Sequence, residues 1–177
     1  MPMEHILYLT LPAPLERGKA YTIEFLPPRL PAQAFVYDPR SMRSEAVHIS
    51  HLGFRPDDPG KVFFVSLWMG SGGAKRFREG AAFHVLDDER GTPVHSGTIR
   101  LEKPAGEKDE DAYKRNFSGV NVYMGDFSSL QRPGTYRVYV EGVGCSYPFS
   151  IGDAAWRSAF YTRSEERRVG KECATGC

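Results

Sequence analysis

Three cysteines among 177 residues, Cys145, Cys173 and Cys177, cannot build a disulfide framework, and two of them sit in a charged stretch at the end of the chain. A cross-linked scaffold is therefore excluded, and any fold in the middle of the chain must stand on packing. No apolar run approaches the roughly 18 residues that a membrane helix requires. The opening MPMEHILYLTLPAP has no basic n-region and is interrupted by prolines, so it does not read as a secretory leader. Taken literally, the sequence predicts a cytoplasmic chain. An excess of either sign of charge is also lacking, because 23 Lys and Arg balance 22 Asp and Glu to a net +1. Such a balance provides no field for steering nucleic acid or an anionic membrane, and neither is expected as a partner. Five histidines are scattered without H-x-H or H-x3-H spacing, so no metal and no other cofactor is expected.

Punctuation and short alternating runs are abundant. Thirteen prolines and eighteen glycines cut the chain into pieces whose apolar residues recur at period two, the pattern of half-buried strands. Seven strands are predicted: AVHIS (46–50), KVFFVSL (61–67), AAFHVLD (81–87), PVHSGTIRL (93–101), GVNVYMGDF (119–127), GTYRVYVEG (134–142) and SYPFSI (146–151). RPDDPGK, DDERGTP, QRPG and EGVG between them are turn chemistry. Seven short strands over this length predict an all-β immunoglobulin-like sandwich across 44–152. In QRPGTYRVYV, Leu130, Pro133, Gly134 and Tyr136 read as a tyrosine corner, with the phenol packed at the sandwich edge and its hydroxyl bonded to upstream backbone.

The first 43 residues repeat this logic in miniature. ILYLTL alternates, and Leu15, Gly18, Tyr21, Ile23 and Phe25 form a second turn followed by a tyrosine strand. One hairpin cannot bury a core alone. Residues 1–43 are therefore expected to be the closing strands of an upstream β domain plus a linker, the other reading being a hairpin that packs onto the sandwich.

Catalytic chemistry is thin. Asp57/Asp58 and Asp87/Asp88/Glu89 are adjacent acids in turns, where carboxylates cap backbone N–H groups and titrate normally, and neither run has the D-x-D-x-D-G order of a calcium loop. GSGGAKR (70–76) lacks the G-K-[ST] of a phosphate loop and is expected to be a flexible connection. Trp68, Tyr113, Phe117 and Tyr123 could form a sugar-stacking platform, although aromatics in a sandwich more often serve the core. His48 and His84 lie in strands as ordinary face residues. Asn116-Phe117-Ser118 is a glycosylation acceptor only in a secretory setting.

Three stretches carry a resemblance: HISHLGFRPDDPGKVFFVS (48–66), FHVLDDERGTPVHSG (83–97) and VYMGDFSSLQRPGTYRVYVEGVGCSYPFSIG (122–152). In their order they resemble the N-terminal Ig-like domain that precedes the catalytic barrel in family 9 glycoside hydrolases, the cellulase family. SLWMGSGGAKRF (66–77) and EKPAGEKDEDAYKRNF (102–117) depart from the plain pattern and resemble decorations of a divergent subset. The resemblance implies a noncatalytic module with no catalytic residue of its own. Its partners would be the inverting (α/α)6 barrel and, through the parent enzyme, a polysaccharide. It also implies a secreted or periplasmic parent. DAAWRSAFYT (153–162) resembles the entry to such a barrel, with Asp153 as cap and Trp156, Ala159 and Phe160 on one helical face. Trp156 and Phe160 are thereby expected at the catalytic-domain interface. The ending RSEERRVGKEC resembles the in-frame translation of a short-read sequencing adapter, so 163–177 is expected to be an artefact that makes few buried contacts. A carbohydrate-binding sandwich using exposed aromatics is the alternative function.

Overall fold

The computed structural model describes residues 6–26, 30–108 and 118–157. Eleven strands follow one another among these residues: β1 (Ala20–Ile23), β2 (Gln33–Val36), β3 (Val47–His48), β4 (Val62–Val65), β5 (Ala82–Asp87), β6 (Pro93–Thr98), β7 (Arg100–Lys103), β8 (Val122–Asp126), β9 (Gly134–Val140), β10 (Gly144–Cys145) and β11 (Phe149–Ile151). One antiparallel sheet runs β10-β9-β5-β6, with β11 also on β9, and a second runs β3-β4-β8-β7. This is the two-sheet division of an immunoglobulin-like sandwich. β1 and β2 form a separate hairpin. No helix among the described residues is long and apolar enough to cross a membrane.

Alternation places the core. On β9, Tyr136, Val138 and Val140 point inward and are buried, while Arg137 and Tyr139 alternate outward. Phe63 and Val65 on β4 and Phe83 and Val85 on β5 are fully buried on the facing sheets. The rings of Phe63 and Phe83 meet edge to face, with centroids 4.9 Å apart. Each ring also lies over a glycine of the strand beside it, Phe63 over Gly125 of β8 and Phe83 over Gly97 of β6. A Cβ at Gly97 would stand 2.7 Å from the Phe83 ring, and one at Gly125 would be closer still to Phe63. Phe54, Phe127 and Phe149 extend the aromatic contacts toward one end, the Phe54 ring meeting both others edge-on.

Three predicted strands are corrected. PVHSGTIRL is not one strand but two: β6 belongs to one sheet and β7 to the other, and Ile99 between them is buried at the crossing. SYPFSI is split. Cys145 pairs with Tyr139 and Phe149 with Tyr136, so one more residue is used on the β10–β11 side than on β9. That extra residue makes a bulge. Buried Ser146 repairs the ladder there, its hydroxyl oxygen accepting the Val138 N–H at 3.0 Å and its O–H donating to the Tyr147 carbonyl at 2.6 Å. ILYLTL forms no strand; residues 6–11 run as exposed chain.

The opposed Phe63 and Gly125 give a direct test. Gly125→Ala should lower stability by about 1–3 kcal/mol through overpacking, read as a drop in urea midpoint at constant m. Adding Phe63→Leu should recover part of that loss, because the two changes act on the same space. Simple additivity would show that the ring and the glycine are not coupled.

Candidate functional site

The tyrosine at the start of β9 is built into a corner. The chain leaves β8 through Phe127, whose carbonyl accepts the Leu130 N–H at 2.9 Å, and Leu130 is buried beneath the turn. The Tyr136 hydroxyl donates to the Arg132 carbonyl at 2.9 Å and lies 3.4 Å from that of Pro133. Gly134 passes under the same phenol, since a Cβ there would stand 2.8 Å from the hydroxyl oxygen. Tyr136 is 1% exposed and packs on Phe149. Burial pushes its phenol above the ordinary value. Leu130, Pro133, Gly134 and Tyr136 thus form one structural unit.

The turn acids are spent on the backbone and on arginines. Asp58 accepts the Arg55 N–H at 2.7 Å, and Asp57 pairs with the Arg55 guanidinium at 3.2 Å. Asp87 accepts the N–H groups of Glu89 and Arg90. The Arg90 amide, together with its guanidinium, holds Asp87 below the ordinary carboxylate value, which corrects the expectation of normal titration. Asp88 pairs with Arg137. Asp87, Asp88, Arg90 and Arg137 line a cleft of about 440 Å³ with Arg17 and Asp38, which pair at 3.1 Å. The two ion pairs are each internal to one part, Arg17–Asp38 to the N-terminal segment and Asp88–Arg137 to the sandwich. A second cleft, of about 600 Å³, runs beside Phe77 with Lys75, Arg76 and Arg78 on its wall.

Of the four candidate platform aromatics, Trp68 and Tyr123 share no exposed face. Trp68 is 54% exposed, whereas Tyr123 is 4% exposed and receives the edge of Phe77 in the core. Tyr113, Phe117 and Asn116 lie outside the described residues. The amides of the Gly-rich segment are engaged internally: Gly72 donates to Met69, Gly73 to Gly70, and Met69 to Gly73, at 2.9 to 3.0 Å. No phosphate cradle remains. His48 contacts Ser66, and His84 contacts Ser96 and Glu141. No three His, Cys, Asp or Glu side chains gather as a metal group among the described residues. Cys145 is fully buried against the Arg40 carbonyl at 2.7 Å, and burial pushes its thiol up to about 12, leaving almost no thiolate near neutrality.

The structure brings forward two residues that sequence reasoning passed over, Ser146 and Lys61. Lys61 is 0% exposed, and its Nζ donates to the carbonyls of Pro56 at 3.0 Å and Asp58 at 2.8 Å. Its own N–H goes to the Ser128 hydroxyl oxygen, which also serves Asp126. That hydroxyl, with the Ser128 amide, holds the Asp126 carboxyl below its ordinary 3.8. At the exit, residues 155–157 turn helical and Trp156 is 54% exposed; Phe160 and the adapter-like ending lie outside the described residues.

Two measurements probe this unit. Tyr136→Phe should cost about 1–2 kcal/mol, because the Arg132 carbonyl loses its buried donor; an unchanged denaturant midpoint would remove the corner. Asp126 has a folded pKa below the unfolded one, so its stabilisation is complete above the unfolded value and is lost as pH falls through the folded value. Asp126→Ala should therefore be less stable than the parent at pH 6 and converge with it well below pH 3.8, followed by urea midpoints across that range.

A family model described as Cellulase N-terminal ig-like domain matches residues 42–145. Similar solved structures include a metagenome-derived glycoside hydrolase family 9 endoglucanase, 25% identical, with 60% of this chain and 18% of that chain covered at a TM-score of 0.47. A family 9 glycoside hydrolase of Bacteroides ovatus is 21% identical over 64% of this chain and 17% of its own, at 0.44. A thermostable endoglucanase of Alicyclobacillus acidocaldarius is 24% identical over 64% of this chain and 16% of its own, at 0.43. The matches thus take in less than a fifth of those proteins. No curated protein matches the chain.

Proposed function

The chain belongs to the family of cellulase N-terminal Ig-like domains, and from that membership we propose that it is the noncatalytic β-sandwich module of a polysaccharide-degrading glycoside hydrolase, packed against a catalytic (α/α)6 barrel. The family match over 42–145 carries the proposal, since it spans most of the sandwich. The site chemistry agrees with it. An inverting glycosidase needs one carboxylic acid and one carboxylate free to face the sugar from opposite sides. Asp57, Asp58, Asp87, Asp88 and Asp126 are instead committed to turns and arginines.

The exit after β11 is where the barrel would meet the module. Trp156 presents more than half of its surface on the first helical turn, an apolar group of the kind that marks interaction surfaces. Trp156 and Phe160 are proposed as interface residues, and the module's work as covering an apolar flank of the barrel and shaping one wall of its cleft. Residues 44–152 are the proposed module and 153–162 the lead into the catalytic domain.

The purified chain should release no reducing ends from cellulose or xylan oligomers above a buffer blank. Specific turnover, abolished by an Asp→Asn change in the chain, would overturn the noncatalytic assignment. It should also remain in the supernatant with insoluble cellulose; retention lost on Trp68→Ala would instead favour the carbohydrate-binding alternative.

A further inference from the structure

The N-terminal hairpin and the end of the sandwich share a sequence pattern. Residues 7–25 and 122–140 align without a gap, identical at Tyr8 and Tyr123, Leu15 and Leu130, Arg17 and Arg132, and Tyr21 and Tyr136. Ile23 and Phe25 then stand where Val138 and Val140 do. The structure repeats with the sequence. Tyr136 on β9 is paired across the ladder with Phe149 of β11, and Tyr21 on β1 is paired with Phe35 of β2. The two ring pairs have centroids 6.1 and 5.9 Å apart. Both phenols bond to backbone at the preceding turn, Tyr136 donating to the Arg132 carbonyl and Tyr21 accepting the Glu16 N–H at 2.8 Å.

The copies differ in what covers them. Tyr123, Leu130, Tyr136, Val138 and Val140 are 0 to 9% exposed, closed over by the opposite sheet. Tyr8 is 42% and Ile23 37% exposed, and Leu15, Tyr21 and Phe25 are only half-buried. The hydrogen-bonding edges differ in the same way. β9 is paired on one side with β10 and β11 and on the other with β5, whereas β1 is paired with β2 alone among the described residues. β8 is held between β4 and β7, whereas its counterpart at 7–11 forms no strand and pairs with no strand among the described residues.

We infer that residues 7–38 are the closing strands of a second Ig-like sandwich, and that their uncovered face and free β1 edge take the remaining strands of that sandwich. The occupant is an antiparallel β-sheet with an apolar inner face. One of its strands pairs with β1 as β5 pairs with β9, and two flank 7–11 as β4 and β7 flank β8. A helical surface could cover Ile23 but could not satisfy the backbone edge of β1, and a glycan would leave that edge without its ladder as well.

The gapless repeat supplies its own test. Residues 44–121 of this chain, joined directly ahead of Leu7 of the full chain, place a copy of β3 to β7 where the inference requires them. In the unextended chain, Ile23→Lys should leave the melting temperature of the sandwich unchanged, and the β1 amides that face away from β2 should exchange freely with deuterium. In the extended chain those amides should gain at least tenfold protection, binding of an apolar-surface dye per chain should fall, and Ile23→Lys should abolish both changes. Extended protein whose β1 amides stay unprotected overturns the inference. So does an unextended chain that Ile23→Lys destabilises, since its hairpin would then be covered by its own sandwich.

Discussion

Phe63 and Phe83 touch across the middle of the sandwich, and the spacing of the two sheets follows from that contact. With no disulfide between the sheets, their separation is set by how closely two rings approach edge to face. Neither ring has room for a side chain on the strand beside it, so Gly125 and Gly97 are part of the same contact. β4 is thereby matched to β8, and β5 to β6, by volume as well as by hydrogen bonds. The valines of β9 and β4 fill the space that remains around the rings.

The edge beyond β9 is the weak side of such a sandwich, because β10 and β11 are short and interrupted. The chain covers it with its own earlier residues. Arg43 bridges Cys145 in parallel and Phe54 bridges Ile151 in parallel, so an incoming segment lies along both broken pieces. Gly53 permits the second bridge: its φ of 74° is left-handed, and its Cα passes against the Ser150 carbonyl. The turn through Leu52, Gly53, Phe54, Arg55 and Pro56 is thus the clamp on the last strand.

Much of this was legible because period-two alternation reports directly on a sheet with one buried face. GTYRVYV shows β9 within a few residues, and Leu130, Gly134 and Tyr136 announce the corner. Alternation does not say which sheet a residue faces, however, and Thr98 to Leu101 keep the same rhythm while the chain crosses from one sheet to the other at Ile99. Alternation also does not supply neighbours, which is why ILYLTL has the composition of a strand and no ladder. Tyr123 has the residue type of a sugar platform and the position of a core ring, because aromatic type alone does not distinguish the inner face from the outer. Ser146 and Lys61 left no signal at all: a serine in a strand and a lysine after a turn are ordinary on a surface, and only the bulge and the folded RPDDPG loop give them buried partners.

Lys61 has a consequence for how that loop meets its solution. Two carbonyl oxygens converging with carboxylates nearby are the sort of oxygen set that loops often present to a dissolved cation. Here the positive group arrives on the polypeptide itself, covalently attached a few residues downstream of the oxygens it serves. Its capture therefore carries no dependence on free ion concentration and no translational entropy of association. The loop beside the Phe54 clamp is held in part by a tethered cation that no chelator can remove.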